Sequence, residues 1–365
     1  MPHRFIALFS SDLFEYKRIN VDILSLLVSG YTPNDESTGL YKATLNTQDG
    51  DLKLIPTSIK LANPSYFHLF GETITVIAEV NQAQSPTLEQ YVLSNSHFRY
   101  LSKSGLTGDA PCYVAVSQKH HLVTTAQYGS GHIDVFQCNE SLIITDKNQT
   151  IDSQLLGHSQ PLSHAHQAFI LDHSKVLVSV DLGHDKVVFY PYDKNKALFS
   201  IANRQEVQLP HSSGPRHIVF NQTEDIALLL CEISEQLVTL KKNNGKWEIS
   251  HSQAAFPNTP NGQAGGAIKL SPDCKFVYLT GRRQNIISYF KFDDQTGNLN
   301  YLDSIDCGGD FPRDFAISPC GKWLVVTNQN SGNITSFKRD PSTGELIKTG
   351  QSALMTAPVC VAFYD

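Results

Sequence analysis

Residues 213–220 read SGPRHIVF. The stretch joins a Gly-Pro turn to an Arg-His pair and then to a short apolar run. Alone it admits two readings, an edge cap on a buried strand or a ligand contact. Its recurrence decides the fold. A turn followed by an apolar strand appears as "NPSYFHLF" at Pro64, "APCYVAV" at Pro111, "SHAHQAFI" at Ala165, "GPRHIVF" at Pro215, "GGAIKLSP" at Gly266, "FPRDFAISP" at Pro312 and "APVCVAF" at Pro358. Successive starts are 47, 54, 50, 51, 46 and 46 residues apart. A period of this length marks stacked supersecondary units.

Each start is followed by further apolar runs. After Pro215 come "IALLLCE" and "QLVTLKK"; after Gly266 come "KFVYLTGRR" and "IISYFKFD"; after Pro312 come "KWLVVTNQN" and "ITSFKRD". A weaker fourth run, such as "WEISHSQ", ends the unit. The runs are rich in Val, Ile, Phe, Tyr and Thr, with Gly, Pro, Asn and Asp between them, and no helical period is sustained. Four short antiparallel strands per unit describe a propeller blade. The expected fold is therefore all-β, a seven-bladed β-propeller of four-stranded antiparallel blades.

The seventh start supplies one strand before Asp365. Three others stand near the N-terminus, "ILSLLVSGY", "GLYKATL" and "LKLIPTS". The last blade should thus be closed by strands from both chain ends, which removes exposed sheet edges. Residues 24–365 then form a single propeller domain, and residues 1–23 an N-terminal extension without assignment.

Composition narrows the partners. With 41% hydrophobic and 18% charged residues the chain reads as soluble and globular. A net charge of −6 disfavours nucleic acid, which needs a basic surface. No apolar run is long enough for a membrane span, and Asp12 and Glu15 spoil the N-terminus as a secretory signal. Seven unclustered cysteines suggest reduced thiols in a cytoplasm rather than a disulfide framework.

Polar residues gather where the topology converges. Strand one lines the channel and strand two runs antiparallel to it, so the start of one and the end of the other share a face. Strand-one starts carry His164, His166, Arg216, His217, Arg313 and Asp314. Strand-two ends carry Glu79, Gln127, Tyr128, Asp181, Glu232, Arg282, Arg283, Asn328 and Gln329. Only nine arginines occur in the chain, and four of them, Arg216, Arg282, Arg283 and Arg313, fall in these slots. Guanidinium forks suit carboxylate and phosphate oxygens, so an anionic small molecule is the expected ligand.

The set "AQYGSG" (126–131), "HAH" (164–166), "DLG" (181–183), "GPRH" (214–217), "SPD" (271–273), "FPRDFAISPCGKWLVVTNQNSGNITSF" (311–337) and "PVCVAF" (358–363) resembles the seven-bladed lactonase family. That family includes propeller-type 6-phosphogluconolactonases and fungal carboxymuconate cyclases. The resemblance covers residues 24–365 and rests on the order and spacing of the motifs. It implies a catalytic set of His166, Arg216, Glu232 and Arg282. His164, Tyr128, Arg283, Arg313 and Gln329 are the expected substrate-binding residues. Two departures stand out: "GGAI" places Ala267 where the family commonly has an acid, and "TGRR" replaces "SNRG".

Lactone hydrolysis needs an activated water, a stabilised oxyanion and a protonated leaving oxygen. His166 suits the base and one of Arg216 or Arg282 the oxyanion. Glu232 would orient them or serve as base. The leading reading is hydrolysis of a sugar lactone, with 6-phosphogluconolactone the candidate. A carboxymuconate-type cyclase and a non-catalytic binding platform are the alternatives. A purely structural Arg216–Glu232 pair between blades is the competing reading of the arginine. No metal or other cofactor is expected, because "HAH" has no third ligand. "GSG" at 129–131 precedes no helix and reads as a hairpin turn. Cys112 and Cys320 read as core or turn residues, and Asp181 as a turn residue.

Overall fold

A computed structural model describes residues 23–33, 38–94, 97–156 and 162–364. The extension expected over 1–23 lies outside them except for Ile23, which opens a strand. Seven antiparallel sheets follow one another. Blade 1 runs over 67–105, blade 2 over 111–152, blade 3 over 165–208, blade 4 over 215–254, blade 5 over 265–306 and blade 6 over 312–354. Blade 7 pairs the C-terminal strand Pro358–Tyr364 with Ile23–Gly30, followed by Leu40–Asn46 and Leu52–Pro56. One C-terminal strand and three N-terminal strands close it, as the repeat demanded. Inner strands touch in cyclic order, and Pro358–Tyr364 meets both the inner strand of blade 6 and that of blade 1. The fold is a seven-bladed β-propeller.

Burial explains why the strands read as continuous apolar runs. Each second strand has a sheet face against the blade on either side. Ile226–Cys231, Phe276–Gly281 and Trp323–Asn328 are buried at every position. Outer strands face water, and Lys246–Ala254 is mostly exposed. Among the described residues there are seven hydrophobic clusters, each uniting two adjacent blades. Blades 3 and 4, for example, meet through Phe189, Leu229, Leu240 and Trp247. The core therefore lies between blades, so every blade depends on its neighbours.

Two local outcomes differ from the sequence reading. The first inner strand begins at Phe67 rather than at Pro64 and spans four residues. Asn63 adopts a φ of 44° and its carbonyl accepts from Ser65 N at 2.7 Å, so this turn is tighter than the others. The outer strand of blade 3 is split into Leu198–Phe199 and Gln205–Gln208, both paired with Lys186–Asp193.

Candidate active site

One backbone device repeats in all seven blades and builds the mouth of the channel. The residue after strand two donates its N–H to the carbonyl of the residue that precedes strand one, except in blade 1, where the acceptor Asn63 lies four residues before Phe67. The pairs are Tyr31–Ala357, Glu79–Asn63, Tyr128–Ala110, Leu182–His164, Glu232–Gly214, Arg282–Ala264 and Gln329–Phe311, with N···O distances of 2.6 to 3.0 Å. Immediately inside this ring the inner strand bulges. The register skips one residue at Cys112, at His166, at Arg216 and at Arg313. The closing blade skips Val359 in the same way. A bulge adds one residue against a single partner and re-aims its side chain. This is why the residue after the turn, and not the strand itself, sets the chemistry of the mouth.

Glu232 is the centre of that chemistry. Its Oε2 lies 3.1 Å from Arg216 Nε and 2.8 Å from Arg282 Nη2. The first contact is an ion pair rather than an aligned hydrogen bond. Arg216 Nη1 also donates to the carbonyl of Gly266 at 2.8 Å. Arg282 Nε donates to the carbonyl of Ala264 at 3.2 Å, and its guanidinium lies 5.0 Å from the Phe311 ring centre. Arg216 is 3% and Arg282 7% exposed. The Arg216–Glu232 pair considered between blades lies instead within blade 4, because the bulge and the end of strand two face each other. Arg282, from blade 5, makes the contact across the blade boundary.

His166 is 5% exposed, and among the described residues its Nδ1 has no hydrogen-bond partner. Its ring meets the edge of His217 at 5.1 Å and of Tyr128 at 5.8 Å between centroids. Burial, then the charges of Arg216, Arg313 and Arg282, hold its pKa well below the ordinary histidine value. His217 is depressed in the same direction, first by burial and then by Arg216. Both imidazoles are therefore neutral near pH 7. Burial and the Arg282 and Arg313 charges bring Arg216 down to about 10, which still leaves it cationic.

The nominated substrate residues part company. Tyr128 and His164 stack at 4.4 Å with rings 13° apart, and His164 Nδ1 is 2.8 Å from the Tyr128 carbonyl. The two side chains form a wall beside His166. Arg313 Nη1 donates to Gln329 Oε1 at 3.4 Å, and its guanidinium lies 5.5 Å from the Tyr31 ring centre. Arg283 is exposed and donates to the Gly262 carbonyl at 2.8 Å, outside this cluster. Asp181 is a turn anchor, accepting from Ser163 Oγ and from the backbone of His164 and His184. Cys112 sits in the bulge ring of the channel, and burial pushes its thiol pKa up. Ala267 is fully buried against the blade 6 core.

Tyr31 and Glu79 complete the mouth. The Tyr31 hydroxyl donates toward both Glu79 oxygens at 3.1 and 3.2 Å. Tyr31 escaped nomination because its strand belongs to the closing blade, far from the others in sequence. Aligning "LLVSGY" with "TTAQY" and "LLLCE" as equivalent strand-two ends would have found it.

The model described as "Lactonase, 7-bladed beta-propeller" matches residues 25–363, nearly the whole ring. The chain belongs to this lactonase family. Membership makes it a lactone-hydrolysing enzyme. It is 30% identical to the 6-phosphogluconolactonase of Bacillus subtilis over 335 residues, which span 90% of this chain and 95% of that one. The periplasmic gluconolactonase of Pseudomonas aeruginosa superposes with a TM-score of 0.85 at 26% identity, covering 94% and 99% of the two chains. A protein from Lactobacillus plantarum gives 0.83 at 27%, covering 94% and 100%. Among the described residues of this lactonase family member, no helix is long and apolar enough to cross a membrane.

The buried imidazoles carry a stability prediction. An unfolded histidine titrates near 6.5, whereas folded His166 and His217 titrate well below it and His68 is held down to about 4 by burial. Below pH 6.5 the unfolded chain takes up protons that the folded chain refuses. Stability is thus full above that value and is lost as pH falls from it. Each such group contributes about 1.4 kcal/mol per pH unit, so moving from about pH 7 to about pH 5.5 should remove roughly 4 kcal/mol. Urea denaturation at the two pH values checks this. Equal midpoints would contradict it.

Proposed function

We propose that the channel mouth hydrolyses a sugar lactone, with 6-phosphogluconolactone the candidate substrate. The observation that carries this reading is the Arg216–Glu232–Arg282 bridge beside a buried, neutral His166 whose Nδ1 has no hydrogen-bond partner among the described residues. The lactone carbonyl lies against Arg216 and Arg282. A water attacks the carbonyl carbon and gives one proton to His166. Negative charge gathers on the carbonyl oxygen, where the guanidinium groups stabilise it without rearranging. The tetrahedral intermediate collapses, the ring C–O bond breaks, and the proton returns from His166 to the departing ring oxygen. The product is the open aldonic acid. Glu232 fixes both guanidinium planes. Tyr128 and His164 offer a flat wall for the sugar. A cytoplasmic location is proposed from the odd, unclustered cysteines.

The test is loss of lactone, corrected for spontaneous opening. His166→Gln should lower kcat by about 10²–10⁴-fold, the usual contribution of a positioned base. Because His166 is already neutral, the wild-type rate should not rise with a midpoint near 6.5. An H166Q variant at full activity would remove the histidine from the mechanism.

A further inference from the structure

One slot recurs in the hairpin between strands two and three. The residue just before strand three accepts an N–H, through its carbonyl, from the residue that follows strand four. Gly131 accepts from Ser153, Asp185 from Leu209, Glu235 from Ala255, Asn285 from Cys307 and Gly332 from Met355. All five are left-handed, with φ of 70°, 52°, 51°, 59° and 66°. Glycine takes this conformation freely, and blades 2 and 6 use it. Blades 3 and 4 instead place buried acids there, Asp185 and Glu235, although a glutamate is rarely found in it. Each acid crosses to the next blade. Asp185 accepts from Ser212 N at 2.8 Å and from Gly214 N at 2.7 Å. Glu235 accepts from Gly262 N at 2.9 Å and from Ala264 N at 3.0 Å, and Gln284 Nε2 donates to it at 2.7 Å. Two N–H groups converging from one turn need two acceptor oxygens, which glycine lacks and an amide supplies only once. Asn285 fits that rule, because it holds a single N–H, that of Phe311, at 2.9 Å.

The clamped turns are the ones that aim the arginines. The Gly214 carbonyl accepts from Glu232 N at 2.6 Å, and the bulged Arg216 stands two residues on. The Ala264 carbonyl accepts from Arg282 N at 3.0 Å and again from Arg282 Nε at 3.2 Å. We infer that Asp185 and Glu235 are positioning residues: each carboxylate reaches across a blade boundary and fixes the turn that aims Arg216, or Arg282, at Glu232. Among the described residues neither acid forms an ion pair with an arginine, so removing one acts on the guanidinium groups through the turns. The effect on rate rests on the proposed reading of the mouth as the active site. The clamp itself is read on the arginines.

Glycine at either position removes the carboxylate and suits the backbone. Asp185→Gly and Glu235→Gly, assayed in the full chain well below their melting transitions, should each lower kcat for lactone opening about 10- to 100-fold, the scale of a small misplacement of a catalytic group. KM should change less. Asp185→Asn and Glu235→Gln keep one acceptor, should lose less, and carry the test if a glycine variant does not fold. A clamp that serves stability alone would lower the melt and leave kcat of the folded variant within about 3-fold of wild type, which would overturn the inference. NMR of the arginine side-chain Nε–H groups, assigned by Arg→Lys variants, reads the clamp without turnover. Asp185→Gly should shift the Arg216 signal and Glu235→Gly the Arg282 signal. Arg99, on an outer strand of blade 1, and Arg339, bonded to Tyr278, should keep theirs. Arg216 and Arg282 signals that stay in place would overturn the inference whether or not the rate falls. If they shift in a chain whose wild type opens no lactone, the proposed function fails while the clamps stand.

Discussion

Arg216→Ala should lower kcat/KM for lactone opening by about 10²–10³-fold, the scale measured for removal of one oxyanion donor. The loss should fall on kcat more than on KM, because the interaction strengthens only as the oxyanion forms. Arg216 holds two partners at once, the Gly266 carbonyl through Nη1 and Glu232 from Nε. A lysine ammonium cannot span both, so Arg216→Lys should remain close to the alanine variant. Fold loss does not account for such a drop. Glu232 keeps Arg282 at 2.8 Å and its side chain is 18% exposed, so it is not stranded as a buried, unpaired charge. Steady-state kinetics beside a thermal melt checks both points. An alanine variant within about 3-fold of wild type would assign Arg216 to structure alone.

The second large effect is on the ring itself. A chain ending at Ala357 should fail to form a stable propeller. The missing strand pairs with Ile23–Gly30 along its length. Its side chains also join two different inter-blade clusters, Val361 on the blade 6 side and Cys360 on the blade 1 side. Each fully buried aliphatic side chain contributes about 1.5–3 kcal/mol, and an unpaired inner edge adds to the loss. The sum is comparable to the whole net stability of an ordinary domain, about 5–15 kcal/mol. The truncated chain should therefore aggregate or unfold without a cooperative transition. A sharp melt within a few degrees of the full chain would contradict the account.

Much of this was legible in the residues. The blades were readable because each begins with a Gly, Pro or Ala turn and because two-sided burial makes its strands uniformly apolar. Closure by both termini followed from counting strands at the two ends. Less visible was the bulge, which depends on pairing between strands far apart in the turn-to-turn repeat and leaves no mark on composition. Arg282 and Arg283 are adjacent and chemically identical, yet the first turns in to Glu232 and the second out to the Gly262 carbonyl. The choice is set by which residue donates its N–H to Ala264. His164 looked like a companion of His166, but His166 is the bulged residue and the two are not on one strand face. His164 stacks on Tyr128 from the neighbouring blade instead. The first hairpins at "SQKHH", "LDHSK" and "NQTED" close without a Pro-Asp-Gly turn. His121, Lys175, Glu224 and Cys274 adopt the left-handed conformation that Gly321 takes in blade 6.

The most direct measurement is a crystal structure with the product acid bound, gluconate or 6-phosphogluconate. The acid should lie in the channel mouth, with its carboxylate in hydrogen-bond reach of Arg216 and Arg282 and its carbon chain against Tyr128. An acid bound elsewhere on the ring, with these arginines untouched, would contradict it.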